Sequence, residues 1–148
     1  MIPAQRFPHA ALLRSLISAA GLLPWLLLLG GPRTAWLKPA FRALCHQIPE
    51  RTLVIGVPML VCSRCAGLYL GVALGALFPP PNWAPDRWRF LVLLSGLLMA
   101  LDVATQDLGL HPPLHSLRLS TGLALGWASS AFLFATLKRE SRGAQNAP

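Results

Sequence analysis

Four long apolar runs dominate the chain, and short stretches rich in polar residues, proline and glycine separate them. The runs cover approximately residues 12–30, 59–78, 90–105 and 119–137. A helix needs roughly 20 apolar residues to cross the hydrocarbon core of a bilayer, and the runs approach that length. The pattern predicts an all-α fold, an integral membrane bundle of about four transmembrane helices.

The first run has a second interpretation, because Arg6 and Arg14 precede it as they would in a secretory signal peptide. No clear small-residue cleavage site follows Gly31, so we favour a helix that stays in place. We therefore expect one membrane domain over residues 1–148, with a polar tail at residues 138–148.

The composition supports a membrane protein. Hydrophobic residues make up 54% of the chain and charged residues only 12%, whereas a soluble domain carries about 25% charged residues. The net charge of +8 could indicate nucleic-acid binding, but the basic residues flank the apolar runs and form no basic face. We expect the lipid bilayer to be the partner and expect no nucleic acid. A homo-oligomer or an unidentified partner in a membrane complex remains open.

Small residues recur at helical spacing in the second and fourth runs. Gly67, Gly71 and Gly75 are four residues apart, as are Gly122 and Gly126. Glycines on one helix face let two helix backbones approach closely. The pattern predicts that the second and fourth helices cross at close range.

Basic residues indicate how the protein is oriented in the cell membrane. With four spans, the side of the two termini carries seven of the 13 Lys and Arg residues, and the other side carries six. If Arg64 and Arg118 serve a functional site, the second count falls to four. Because basic residues concentrate on the cytoplasmic side, we expect a multi-pass protein with cytoplasmic termini and the cysteine loop outside.

Every cysteine of the chain lies within one stretch. Cys45 and His46 are adjacent, and Cys62 and Cys65 form a Cys-x-x-Cys pair. Three thiolates and an imidazole favour zinc, with iron or copper as alternatives. We therefore predict a metal site near the membrane interface that uses Cys45, His46, Cys62 and Cys65.

The fourth ligand remains open, because adjacent residues seldom both bind one ion without strain. Water, His111 or His115 could complete the site while His46 orients a ligand.

A thiol–disulfide oxidoreductase would use the same atoms differently. Cys62 lies at the predicted start of a helix beside Arg64, and both features favour a thiolate. Cys62 and Cys65 would then be catalytic, with Cys45 as a third thiol and a quinone as electron acceptor. Such enzymes usually need a second cysteine pair, which this chain does not have.

Asp102 and Arg118 are the other catalytic candidates. Asp102 falls inside the third apolar run, Gln106 follows one turn later, and Arg118 opens the fourth run. A carboxylate inside a membrane helix is costly unless it is paired, so we expect Asp102 to pair with Arg118. These residues also permit a third hypothesis, a non-catalytic membrane subunit or transporter component with a polar path. Asp107 lies nearer the interface, where we expect it to be solvated.

Several strings resemble a family of small prokaryotic membrane proteins known as domain of unknown function 2085. They are Cys-His-Gln-Ile-Pro-Glu-Arg at residues 45–51, Cys-Ser-Arg-Cys-Ala-Gly-Leu-Tyr at 62–69, Leu-Asp-Val-Ala-Thr-Gln at 101–106 and Arg-Leu-Ser-Thr-Gly at 118–122. His115 stands where the family more often has Asn. The resemblance implies no reaction, and it implies that the signature comprises Cys45, His46, Gln47, Pro49, Arg51, Cys62, Arg64, Cys65, Gly67, Tyr69, Asp102, Thr105, Gln106, Arg118, Thr121 and Gly122.

Overall fold

The computed structural model describes residues 8–43, 45, 48–78, 81–112 and 114–145. The described parts are mostly helical. In chain order they form helix α1 (Pro8–Leu26), a 3-10 segment (Leu27–Leu37), helix α2 (Lys38–Arg42), a 3-10 turn (Pro49–Arg51), strands β1 (Thr52–Ile55) and β2 (Val57–Cys62), and helices α3 (Ser63–Leu77), α4 (Pro85–Asp107) and α5 (His115–Gln145).

Four of these helices pack side by side. The indole N–H of Trp25 donates to the Ala66 carbonyl at 3.0 Å, which joins the end of α1 to the beginning of α3, so these helices run antiparallel. Helix α5 packs against both α3 and α4. The beginnings of α3 and α5 therefore lie with the ends of α1 and α4, at what we call the cysteine end of the bundle.

Four membrane spans were expected, and the described residues contain three long candidate spans. Three segments, Ala11–Arg42, Pro85–Asp107 and His115–Gly143, are long and apolar enough to cross a membrane, whereas Ser63–Leu77 is a shorter apolar helix. Its 15 residues extend roughly 22 Å at 1.5 Å per residue. The second run was predicted as a helix from residue 59, but residues 59–62 belong to β2.

The expectation of an all-α fold is wrong for one part of the chain. Strands β1 and β2 form a two-stranded antiparallel hairpin in which Val54 pairs with Pro58 and Thr52 with Cys62. Gly56 at the turn has a φ of +73°, a conformation that glycine adopts without the steric cost of a side chain. The apolar run thus changes from strand to helix at Cys62.

The predicted close crossing of the second and fourth helices is confirmed. A Cβ atom placed on Gly67 or Gly71 would overlap the carbonyl oxygen of Leu119 or Leu123 on α5, respectively. From the other side, a Cβ on Gly122 would overlap the Arg64 carbonyl oxygen. The backbones of α3 and α5 therefore touch along one glycine face.

Large apolar side chains on α1 and α4 point away from the bundle. Leu12, Leu16, Phe90, Leu93 and Leu97 are each more than half exposed. Apolar surface of this extent is normally covered by a membrane or a partner, and these helices are long enough to lie in a bilayer.

The end of helix α4 is defined by its backbone. The helix ends at Asp107, and Gly109, two residues later, has a φ of +71°. The N–H groups of Gly109 and Leu110 donate to the carbonyls of Gln106 and Thr105, each at 3.0 Å, in the pattern of a Schellman cap. Helix α5 continues through most of the expected polar tail and ends at Gln145.

Candidate metal centre

The Cys-x-x-Cys motif begins at the end of the hairpin and continues into the first turn of α3. Cys62 ends β2 with an extended backbone, at φ −67° and ψ 160°, and is the N-cap residue of α3. Cys65 follows three residues later on the first turn. The first backbone N–H groups of a helix have no partner within the helix and carry partial positive charge. The motif therefore lies where thiolates are favoured.

Cys45 approaches the same point from α2. Its backbone N–H donates to the Phe41 carbonyl at 2.9 Å, and Phe41 is buried against β2 with Met59 and Val61. Cys45 is itself only 5% exposed. The backbone N–H of Cys62 donates to the Cys45 sulfur at 3.2 Å, so the segment after α2 and the end of β2 meet at a sulfur atom.

The three Sγ atoms of Cys45, Cys62 and Cys65 lie within 4.8 Å of one another. Sulfur atoms bound to a tetrahedral zinc ion are roughly 3.8 Å apart, given Zn–S bonds of about 2.3 Å. All three cysteines are free thiols. The cluster therefore needs only small side-chain adjustments to hold a metal ion.

Arg118 supplies positive charge to this cluster. Its side chain is only 2% exposed, on the first turn of α5, and its Nε and Nη1 atoms have no hydrogen-bond partner among the described residues. The positive charge of the Arg118 guanidinium acts on the Cys62 sulfur.

The predicted pair between Asp102 and Arg118 is wrong, because Asp102 forms its ion pair with Arg64. The Arg64 and Asp102 side chains are 12% and 4% exposed, respectively. The pair connects α4 to the second residue of α3, directly between the two cysteines of the motif. Asp102 therefore contacts the motif through Arg64.

Several buried polar atoms next to this ion pair have no partner among the described residues. They include Oδ1 of Asp102, Nε of Arg64 and both amide atoms of Gln106. Buried polar groups in proteins are normally hydrogen-bonded, and polar groups within membrane helices are functional candidates. The cysteine end therefore contains a polar cluster in addition to its thiols.

The structure does not bring His111 or His115 into the thiol cluster. His46 lies outside the described residues. The two ring nitrogens of His111 are each 2.9 Å from another group, Nε2 from the Thr105 hydroxyl and Nδ1 from the Pro112 carbonyl oxygen. His115 is exposed. Among the described residues, only cysteines contribute to the candidate metal group.

Ser63 and Arg51 support the site but were not singled out as a contact pair by the sequence. The buried Ser63 hydroxyl donates to the Arg51 carbonyl at 3.2 Å, which fixes the 3-10 turn against the start of α3. The Arg51 side chain binds Asp107 at 3.0 Å. Asp107 remains 54% exposed, so it is paired as well as solvated. The position of Ser63 inside the Cys-x-x-Cys motif is the only sequence signal for this role.

Comparison with known proteins identifies the relatives of this chain. Residues 45–132 match the family described as "Predicted membrane protein (DUF2085)", and this match includes the cysteine cluster, the Arg64–Asp102 pair and Arg118. The chain belongs to this family. The predicted resemblance to domain of unknown function 2085 is therefore confirmed.

Two archaeal proteins are among the relatives of this DUF2085 member. An uncharacterized protein of Methanocaldococcus jannaschii is 33% identical over 119 residues, which cover 72% of this chain and 75% of the relative. An uncharacterized protein of Methanothermobacter thermautotrophicus is 37% identical over 91 residues, which cover 58% of this chain and 80% of the relative. No solved structure matches the chain.

Proposed function

We propose that this DUF2085 protein binds one thiophilic metal ion, zinc, through Cys45, Cys62 and Cys65 at the membrane interface. The observation that carries the proposal is the approach of the three Sγ atoms to within 4.8 Å. Three thiolates suit zinc, iron or copper(I) and do not suit magnesium or calcium. Among these ions zinc is the one for which tetrahedral thiolate sites are commonest.

Three segments of the chain contribute one cysteine each to this site. Cys45 follows α2, Cys62 ends β2, and Cys65 belongs to α3. The contact between the Cys62 N–H and the Cys45 sulfur also occurs around metal-bound thiolates, where backbone N–H groups stabilise the negative charge. The hairpin supports this proposal, because β2 ends at Cys62 and leads directly into the helix that carries Cys65.

The charge at the cysteine end suits a site with three thiolates. A divalent ion with three thiolates has a formal charge of −1, and the buried guanidinium of Arg118 can balance it. The charge of Arg118 acts on Cys62, and Arg64 is already paired with Asp102. We propose that Arg118 is the counter-ion of the metal centre and that the fourth ligand is His46 or water.

Metal analysis on the full-length protein tests this proposal. The protein is purified in mild detergent without added metal, and metals are measured by plasma mass spectrometry alongside a count of free thiols. We expect about one zinc per chain, lost in Cys45→Ser. Asp107→Asn is the matched control, because it alters an exposed residue at the same end and should retain the metal.

The thiol count distinguishes the main alternative. Absence of metal, with one disulfide and one free thiol, would overturn the metal site in favour of thiol–disulfide exchange by Cys62 and Cys65. The position of Cys62 at the start of a helix favours that second function. Its test is reduction of an added quinone by the dithiol form, which Cys62→Ser should abolish.

We also propose that α3 crosses the membrane together with the hairpin, so that the termini are cytoplasmic and the cysteine end faces outward. Arg64 has a side chain only 12% exposed and Arg118 is 2% exposed, so we count neither among the exposed basic residues that set orientation. Reporters fused to each terminus test this arrangement. Cytoplasmic signals from both would support it, whereas reporters on opposite sides would indicate three crossings.

A further inference from the structure

A second site lies at the opposite end of the bundle from the cysteines. The beginning of α1, the segment 81–85 and the last turns of α5 enclose a cavity of about 440 Å³. We call it the basic cavity. Among the described residues, four cations and no carboxylate line it, together with Trp83, Phe134 and other uncharged residues. The cations are Arg14, Lys138, Arg139 and Arg142.

Two cations of the basic cavity have neutral contact partners within the described part of the chain. The Arg14 guanidinium lies 4.5 Å from the centre of the Phe134 ring, and the Lys138 ammonium donates to the Asn82 side-chain oxygen at 2.6 Å. Both partners are neutral, so these contacts orient the cations without cancelling their charge. Such a group of basic residues attracts phosphate-bearing ligands.

An apolar groove next to the basic cavity indicates which phosphate-bearing ligand fits. The groove has a volume of about 430 Å³ and is lined by Trp83, Phe90 and Leu91 with parts of Asp86 and Arg87. Trp83 lines both spaces. A ligand that bridges them must carry an anionic head next to an apolar chain.

We propose that the basic cavity and the adjacent groove bind one anionic glycerophospholipid. Its phosphate would lie among Arg14, Arg139 and Arg142, and an acyl chain would follow Phe90 and Leu91. Basic pockets between membrane helices bind lipid headgroups of this kind. Tryptophan is also common at the depth where the headgroup meets the acyl chain, which is where Trp83 would lie.

Native mass spectrometry of the full chain in detergent tests the site. The probes are dioleoyl phosphatidylglycerol, dioleoyl phosphatidylcholine, and glycerol 3-phosphate with inorganic phosphate as soluble sources of the same group. We expect phosphatidylglycerol to bind most tightly. Replacing Arg14, Arg139 and Arg142 by Gln should weaken its binding about a hundredfold, at about 1 kcal/mol per basic residue.

The matched control removes the same charge elsewhere, by replacing Arg33, Arg42 and Arg89 with Gln. These residues are exposed and do not line the cavity or the groove, so the control should bind phosphatidylglycerol within about twofold of the unmodified chain. Circular dichroism melting verifies that both triple variants are folded. The single variant Arg142→Gln, with a smaller expected loss of about fivefold, provides the test if the triple variant is unfolded.

Three results would overturn the proposal. One is equal binding of phosphatidylglycerol by the folded cavity variant and the control. Another is equal binding of phosphatidylcholine and phosphatidylglycerol by the unmodified chain, because the basic residues would then add nothing. Binding of soluble phosphates as tight as that of the lipid would show that the groove holds no acyl chain.

Discussion

At the cysteine end of the bundle, Arg64 and Arg118 are almost fully buried, and one of them is paired with Asp102. At the opposite end, Lys138, Arg139 and Arg142 are exposed around an open cavity, and the contacts described there are with neutral groups. Burial of charge is costly and is tolerated when partners compensate it. The comparison shows that basic side chains are enclosed by the protein at one end and accessible from outside at the other.

Asp102→Asn should have the largest effect on stability, because it leaves the buried Arg64 without its carboxylate. Breaking one partner of a buried ion pair costs about 3–5 kcal/mol. Asp107→Asn removes the exposed pair with Arg51 and should cost about 0–1 kcal/mol. Thermal unfolding of both variants in detergent measures the difference. Equal shifts in melting temperature would contradict the assignment of Asp102 as a buried, paired charge.

Gly122→Ala should have the next largest effect, at about 1–3 kcal/mol. The new Cβ would overlap the Arg64 carbonyl oxygen, which belongs to helix backbone and cannot rotate away. Gly143→Ala is the matched control on the same helix, since no atom of the described residues lies within 4 Å of its Cβ position. If Gly122→Ala had the same melting temperature as the unmodified chain, α3 and α5 would have to be farther apart than described.

Lys138→Gln should have the smallest effect on folding. The ammonium of Lys138 contacts only the exposed Asn82 side chain among the hydrogen bonds described for it, and such surface substitutions usually change stability by about 0.5 kcal/mol or less. The same melting experiment measures it. A loss of stability for Lys138→Gln comparable to that of Asp102→Asn would contradict the distinction between enclosed charges at the cysteine end and exposed charges at the opposite end.

The sequence predicts the helices better than it predicts the connection between them. Hydropathy and the glycine spacing correctly predict that the segments around residues 67–75 and 119–126 are helices in close contact. The hairpin could not be foreseen in the same way, because Met59, Leu60 and Val61 suit a buried strand as well as a membrane helix. Length and hydropathy alone do not separate the two.

The thiol cluster and its charged neighbours were predictable to different degrees. The spacing of Cys62 and Cys65 and the position of Cys45 indicate one site, and the structure brings the three sulfur atoms together. The partner of Asp102 was wrongly predicted, since a sequence gives no information on how α4 is rotated relative to α3 and α5. That rotation directs Asp102 toward Arg64.

The glycine contact between α3 and α5 has a further consequence for the thiols. Cys62 and Cys65 flank the beginning of α3, and Arg118 is carried by the first turn of α5. Because main-chain atoms of these helices touch, the separation between the thiols and the guanidinium is set by the backbone and hardly by side-chain volume. Helices α3 and α5 therefore hold the thiols and the Arg118 guanidinium at a fixed separation. Changes of sequence on the outward faces of α1 and α4 can alter how the protein fits its lipid without altering the electric field at the sulfur atoms.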